Sequence, residues 1–495
     1  MPLIFSKLTR FLGYILSEFA DFLGYILFKF GCFLGLILFK DILYLIQRFM
    51  ENQYIKRNVD KTLLAWSQSD PSDRKPLLMR GARQIGKSSA VRELGKHFKY
   101  FIEVNFDIEI KVREFFDTSL SPQAVCEQLA LYYNTPVIPG ETLLFFDEVQ
   151  SYPPALSKLR YFYEKYNELH VISAGSLLEF ALEEIPSFGV GRIRSIFMYP
   201  FSFNEFLTAM DREALAEAVK EAAPDNPLSE PIHHLLLHIF KTFLIIGGMP
   251  EAVSKYVQKN DLLDSELVLS DLINVMKSDF AKYNKKTPLL LLNEVFDSVM
   301  HQTEGKFVYE RAAAGLPAAA VRQALDLLIM AGQVHPVTHT AANGIPLGAE
   351  RNSKFRRIMP CDTGIFLQAL GLRAQPLLAQ EFSAVNRGSL AEIFVGLELI
   401  KAASCYRPIE LFCWQRSANA GSQHGSAQID FLIQKGYDII PIEVKSGTQG
   451  SMQSLRLFMK EKKIKKGIRT SLENFGRSGD IDIYPLYAIG NVVEC

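Results

Sequence analysis

Between residues 77 and 176, short apolar runs alternate with stretches of helical period. LLMRG (77–81), YFIEVNF (100–106), TLLFFDEV (142–149) and HVISAGS (170–176) are rich in aliphatic and aromatic residues and end on polar ones. That is the pattern of strands buried on both faces. SSAVRELGKHF (88–98) and LSKLRYFYEKY (156–166) place apolar residues three and four apart, as amphipathic helices do. Residues 55–68 read as another short amphipathic helix, and the polar stretch 67–76 as a loop. Strands alternating with helices predict a parallel α/β sheet. After Pro200 the pattern turns mainly helical, to about residue 300. Residues 306–347 read as a helix-turn-helix unit with a wing: 319–332 is an amphipathic helix closed by Gly332, and 333–340 opens a hairpin. From about residue 388 the order is a helix (390–403), then strands over 410–414, 428–434 and 439–445.

The first 49 residues are different material. FLGYILSEFAD (11–21), FLGYILFKFGC (22–32) and FLGLILFKDIL (33–43) repeat one unit. Eleven residues make about three helical turns, so Gly13, Gly24 and Gly35 recur on nearly one stripe. Three readings compete. In a membrane helix, Lys29 would cost about 2.5–3.5 kcal/mol, offset by the Leu, Ile and Phe around it; the longest uncharged run, 30–39, is too short to span a bilayer by itself. The second reading is an interfacial helix. The third is a tandem repeat in the coding DNA read in frame, with Met50 as the usual start. No A-x-A-like site follows the apolar run, which argues against a cleaved signal peptide.

The chain of 495 residues balances 54 basic against 54 acidic residues, which excludes a binder driven by net charge but not a local basic patch. Its six Cys lie apart with no C-x-x-C, against a zinc ribbon or disulfide scaffold and in keeping with a reducing compartment. A cytoplasmic location is expected, or membrane association through residues 1–49.

Gly81-Ala82-Arg83-Gln84-Ile85-Gly86-Lys87-Ser88 matches G-x-x-x-x-G-K-[ST]; a predicted strand precedes it, and it opens the predicted helix 88–98, with Ser89 next to the motif. Such a loop turns backbone N–H groups toward phosphates, and the helix N-terminus adds positive field. Lys87 is expected on the β/γ-phosphates and Ser88 on Mg²⁺. Asp147 and Glu148 end an apolar strand; Asp147 would hold Mg²⁺ and Glu148 polarise the attacking water. Ser173, in Ser173-Ala174-Gly175-Ser176, suits a polar sensor of the γ-phosphate. Arg192 and Arg194 are either charge-stabilising arginines or solvated loop residues.

RGARQIGKSSAVRELGKHF, LLFFDEVQ, SAGSLL, MYPFSFNEFL (198–207) and GGMPEAV (247–253) together resemble bacterial and archaeal AAA-type ATPases with a DUF4143 C-terminal region. The resemblance runs from about residue 54 to 490. It implies an α/β P-loop ATPase domain (50–225), a helical lid (226–300), a winged-helix segment (301–375) and an α/β restriction-endonuclease-like domain (376–495), with ATP and Mg²⁺ as cofactors. It implies no particular substrate.

Within the last segment, Glu443 and Lys445 share one face of a strand, and Asp430 on a neighbouring strand can join them. Two or three carboxylates and a Lys at one point can hold Mg²⁺ and activate water against a phosphodiester. With Glu392 as the helix acid, the set resembles the PD-(D/E)xK nuclease pattern; a retained fold with inactive or purely binding chemistry is the competing reading. RNSKFRR (351–357) and KEKKIKK (460–466) are solvated faces or phosphate contacts, the latter implying DNA as partner. Phe412 and Trp414 are expected as core or strand-edge aromatics rather than stacking platforms. A homo-oligomer is left open.

Overall fold

The computed structural model describes residues 54–117, 120–176, 178, 182, 191–282, 287–372, 387–416, 427–447 and 451–493. The 11-residue repeat lies outside them. Met1–Ile55 and Lys56–Cys495 are separate units, and the fold below is that of the second. No helix of the described residues is long and apolar enough to cross a membrane.

The chain enters through α1 (Asn58–Ser67) and then β1 (Leu77–Arg80). The phosphate loop leads into α2 (Lys87–Gly95), followed by β2 (Tyr100–Asn105), α3 (Pro122–Tyr133), β3 (Thr142–Asp147), α4 (Pro153–Lys165), β4 (His170–Ala174) and β5 (Arg194–Phe197). The five strands form a parallel sheet in the order β2-β3-β4-β1-β5. Helices cover it, which is why every residue of β3 is buried. Leu78, Leu144, Phe146 and Val171 of the strands pack with Val125 and Leu129 of α3 and Leu156, Leu159 and Phe162 of α4. With all strands parallel, the phosphate loop and the Asp147 end of β3 emerge at one carboxyl edge, where ligands bind in open α/β sheets.

A helical region follows: α5 (Phe203–Ala209), α6 (Glu213–Glu221), α7 (Glu230–Ile246), α8 (Pro250–Lys259), α9 (Leu262–Asp279) and α10 (Leu289–His301). α5 opens with a capping box: Glu205 N–H donates to Ser202 Oγ at 3.2 Å and Ser202 N–H to Glu205 Oε2 at 2.8 Å. An aromatic cluster of Phe203, Phe240, Phe243, Phe394 and Tyr487 ties these helices to the C-terminal part, with Phe240 and Phe394 rings 4.7 Å apart.

Helix α11 (Ala318–Met330) leads into the hairpin β6 (Val334–Thr340) and β7 (Arg351–Pro360). Then come α12 (Thr363–Ala369), α13 (Arg387–Ala402), β8 (Leu411–Arg416), β9 (Ala427–Lys435), β10 (Asp438–Val444), α14 (Gln453–Lys462), β11 (Gly467–Ser471), β12 (Gly476–Ser478) and β13 (Ile481–Pro485). The hairpin expected as a wing is the edge of an eight-stranded mixed sheet, β12-β13-β11-β10-β9-β8-β6-β7. β6 runs parallel to β8, its Val337 beside Leu411. RNSKFRR is accordingly most of β7. Phe412 and Trp414 are core residues, packed with Phe458 of α14.

Candidate functional site: the phosphate loop and its surroundings

Backbone geometry makes the loop. Gly81 and Gly86 have φ of 137° and 90°, conformations open to glycine, and Gln84 is left-handed at 62°. A Cβ at Gly81 would lie 2.2 Å from the Met198 carbonyl oxygen, so the first glycine is also a close backbone approach. Lys87 is buried, and its Nζ donates to the carbonyls of Gly81 (2.9 Å) and Ala82 (2.7 Å), across the loop it follows. Burial pushes its ammonium down to about 8, against the pull of Glu148 and Asp147. Ser88 Oγ lies 3.1 and 2.9 Å from the two oxygens of Asp147. Thus a hydroxyl and a carboxylate, 59 residues apart, converge beside the lysine at the N-terminus of α2. Glu148 has φ of 48°, a left-handed conformation costly for its residue type and characteristic of functional corners. Its carboxylate accepts from Gln150 Nε2.

These residues suit a nucleoside triphosphate with Mg²⁺. The loop is anionophilic, Ser88 and Asp147 form a hard oxygen pair, and Lys87 is a desolvated cation whose hydrogen bonds, among the described residues, go to carbonyls. The Arg83 guanidinium is paired with Asp279 at the end of α9. Gln84 and Ser89 are exposed, and Ile85 is buried beneath the loop.

Sequence reasoning missed the support behind the loop. Arg57, just before α1, donates to the Ile85 carbonyl at 3.0 Å, the Tyr199 carbonyl at 2.7 Å and Glu205 Oε1 at 3.1 Å. Its guanidinium stacks 4.0 Å from the Phe201 ring centroid. Burial by itself would raise Glu205, but Arg57 and the N–H groups of Asn58 and Ser202 hold it below its ordinary value. No local signal marks the pair, since its members are 148 residues apart.

Two expectations meet a different geometry. Ser173 is in register with Leu78 and Phe146, whose side chains point into the sheet's core, whereas Asp147 points to the other face. Its Oγ is buried without a partner. Ser176, with the same property, lines a cavity of about 340 Å³ together with Gly81, Ala82, Met330, Gly332 and His335, and is the better-placed hydroxyl. Arg192 precedes β5, whose first residue, Arg194, is level with Leu77. Both arginines therefore lie at the amino edge, opposite the phosphate loop. Arg192 is exposed and paired with Glu164, and Arg194 sits 5.5 Å from the Tyr406 ring. Within one chain neither reaches the phosphates.

The cavity joins the loop to the C-terminal part. Gly332, at the end of α11 with φ of 69°, abuts the loop so closely that a Cβ there would stand 3.3 Å from Ala82 N. His335 stacks edge-on against Tyr199 at 6.0 Å, and burial pushes its imidazole down to about 4, so it is neutral.

The C-terminal carboxylates are brought together, with an unexpected companion. The register Phe431–Ile442 continues to set Asp430 opposite Glu443, and Val444 N–H donates to Asp430 Oδ2 at 2.8 Å. Lys445 Nζ is 2.8 Å from Glu443 Oε1. Glu392 of α13, however, is paired with Arg357 of β7, and the other arm of that guanidinium lies 3.9 Å from Asp430 Oδ1. Where Mg²⁺ was expected, Arg357 and Lys445 place positive charge beside these carboxylates. Among the described residues no group of three or more His, Cys, Asp or Glu is arranged to hold a metal ion. Burial pushes Glu392 up to about 7 even beside Arg357, and raises Asp430 and Glu443.

Residues 73–207 match the model of the AAA domain, which fits the loop and strand order above. The chain thus carries an AAA domain. Residues 237–376 match a domain of unknown function, DUF8612, and 387–489 match another, DUF4143. No protein of curated function matches. Solved structures similar to it include C. elegans PCH-2 (13% identity, TM-score 0.24), of which the chain spans 62% using 42% of its own length. Others are AMPPCP-bound DnaA from Aquifex aeolicus (14%, TM-score 0.25) and a DNA replication initiation factor (14%, TM-score 0.23), each matched over 57% of this chain and 90% of the other.

Proposed function

We propose that the chain is an Mg²⁺-dependent ATP-binding and ATP-hydrolysing protein whose nucleotide state acts on its C-terminal part. The observation that carries this reading is the convergence of Lys87, Ser88 and Asp147 at the N-terminus of α2. The loop amides and Lys87 would hold the phosphates, and Ser88 and Asp147 the Mg²⁺. When bound, that ion neutralises charge on the β- and γ-oxygens. Glu148, one residue beyond Asp147, would orient the attacking water, with Ser176 at the same edge. The cavity shared by Gly81, Ala82, Gly332 and His335 supports transmission, because a shift of the loop at Ala82 on nucleotide binding would reach Gly332, at the corner between α11 and β6. Lys87→Ala is expected to abolish ATP binding. Glu148→Gln is expected to keep binding but slow turnover by roughly 10²-fold or more. Equal turnover in wild type and Glu148→Gln would remove Glu148 from the mechanism.

For the C-terminal part we favour an interaction module over a nuclease. The favouring observation is the ion pairing of Glu392 and Asp430 by Arg357. The exposed Lys460, Lys463, Lys465 and Lys466 support the DNA-binding reading instead. Stimulation of turnover by DNA that weakens steeply with salt would favour the latter.

A further inference from the structure

The acidic cluster at α13, β9 and β10 has the residue types of a metal-dependent phosphodiester site, yet its internal bonding is that of a closed ionic group. Arg357 is 3% exposed as a side chain and reaches both Glu392 and Asp430. It also lies 3.4 Å from the Asp430 carbonyl and 5.6 Å from the Phe431 ring centroid, so the guanidinium is fixed on several sides. Asp430 spends its other oxygen on Val444 N–H, and Oδ1 also accepts from Gln428 at 3.3 Å. Glu443 has Lys445 on one oxygen, and Arg469 is level with it on β11. Arg469 is itself paired with Glu473 at 3.0 Å, so Arg357 and Lys445 are the cations in ion pairs with Glu392, Asp430 and Glu443. Glu443 Oε2 is buried with no hydrogen-bond partner among the described residues.

We propose that Arg357 is the resident cation of the Glu392–Asp430 pair, and that it keeps a divalent ion out while β7 is docked on the sheet. A guanidinium with planar N–H forks satisfies two carboxylates without shedding a hydration shell, whereas Mg²⁺ needs near-octahedral oxygen geometry and gives up water reluctantly. One charge cannot be added without displacing the other. The cluster therefore becomes a divalent-cation site, completed by Glu443 Oε2, only when Arg357 leaves. The source of control is the hairpin, whose partner α11 ends against the phosphate loop.

The inference does not rest on ATP hydrolysis, and its test uses no nucleotide. The probe is Mn²⁺ added to the full chain at pH 8, followed by electron paramagnetic resonance, with Asp147→Asn as background to remove the carboxylate at the phosphate loop. With Arg357 intact, Mn²⁺ binding is expected to be unaffected by adding Asp430→Asn. Arg357→Gln is expected to gain one Mn²⁺ site at least about tenfold tighter than any in the background, and to lose it on adding Asp430→Asn. Mn²⁺ binding that needs Asp430 while Arg357 is present overturns the proposal, as does a folded Arg357→Gln that gains nothing. If Arg357→Gln does not fold, the arm with Arg357 intact decides: Asp430-dependent binding overturns the proposal, and its absence supports it.

Discussion

Replacing Arg57 by Met tests whether a residue outside the loop motif holds the phosphate loop in shape. Arg57 and Glu205 are 5% and 7% exposed as side chains, so neither charge has water as an alternative partner. Removing one member of a buried pair costs about 3–5 kcal/mol, mostly by stranding the other. Arg57→Met and Glu205→Leu should each fall in that range. The double variant removes both charges and leaves apolar groups of similar bulk, so its cost should lie below the sum by about 2–3 kcal/mol. Urea unfolding followed by tryptophan fluorescence can measure this locally. The chain has two Trp, and with Trp414→Phe as background only Trp66 reports, buried in α1 with its indole N–H on the Lys75 carbonyl at 2.8 Å. The sign with pH is fixed as well. Glu205 is held below its ordinary value, so its stabilisation is complete above about pH 4.3 and is lost as pH falls through the folded-state value. The wild type should lose stability in acid more steeply than the double variant. Additive costs, within about 0.5 kcal/mol, would refute the pairing.

Lys87, pushed down to about 8 by burial, should take up a proton when phosphate anions arrive. Calorimetry at about pH 8.5 in buffers of different ionisation enthalpy should show uptake on ATP binding in wild type and none in Lys87→Ala. The same group binds fewer protons folded than unfolded between about pH 8 and 10.4, so its contribution to stability without nucleotide should rise with pH across that window. Gly81→Ala should weaken ATP binding strongly, since its Cβ would lie 2.2 Å from the Met198 carbonyl oxygen; unchanged affinity would mean that the loop adjusts freely. Gly332→Val should perturb ATP affinity although it lies far along the chain from Ala82, against which it packs, read out by nucleotide titration. A chain shortened to begin at Met50 keeps Arg57 and every described residue, and should fold and bind ATP as the full chain does; insolubility would assign residues 1–49 to the fold.

The phosphate loop was legible because its chemistry is local. Eight consecutive residues carry the glycines, the lysine and the hydroxyl, and the flanking apolar run and helical period supply the strand and helix that aim them. Asp147 was legible for a similar reason, as a carboxylate ending a buried strand. Four strands of the sheet followed from the alternation of periods, but β5 did not: its pairing beside β1 places Arg192 and Arg194 at the far edge, a fact of strand order rather than of their neighbours in sequence. Parity along β4 turned Ser173 into the core, while Ser176, two residues beyond the strand, lines the cavity. Arg357 lies in a basic run that reads as solvated, yet strand pairing buries it against carboxylates 35 and 73 residues further on. Local spacing fixes which groups a turn or strand end presents. Only the tertiary fold decides which distant charges share a low-dielectric space, and there a buried carboxylate is compensated by whatever cation the packing brings to it.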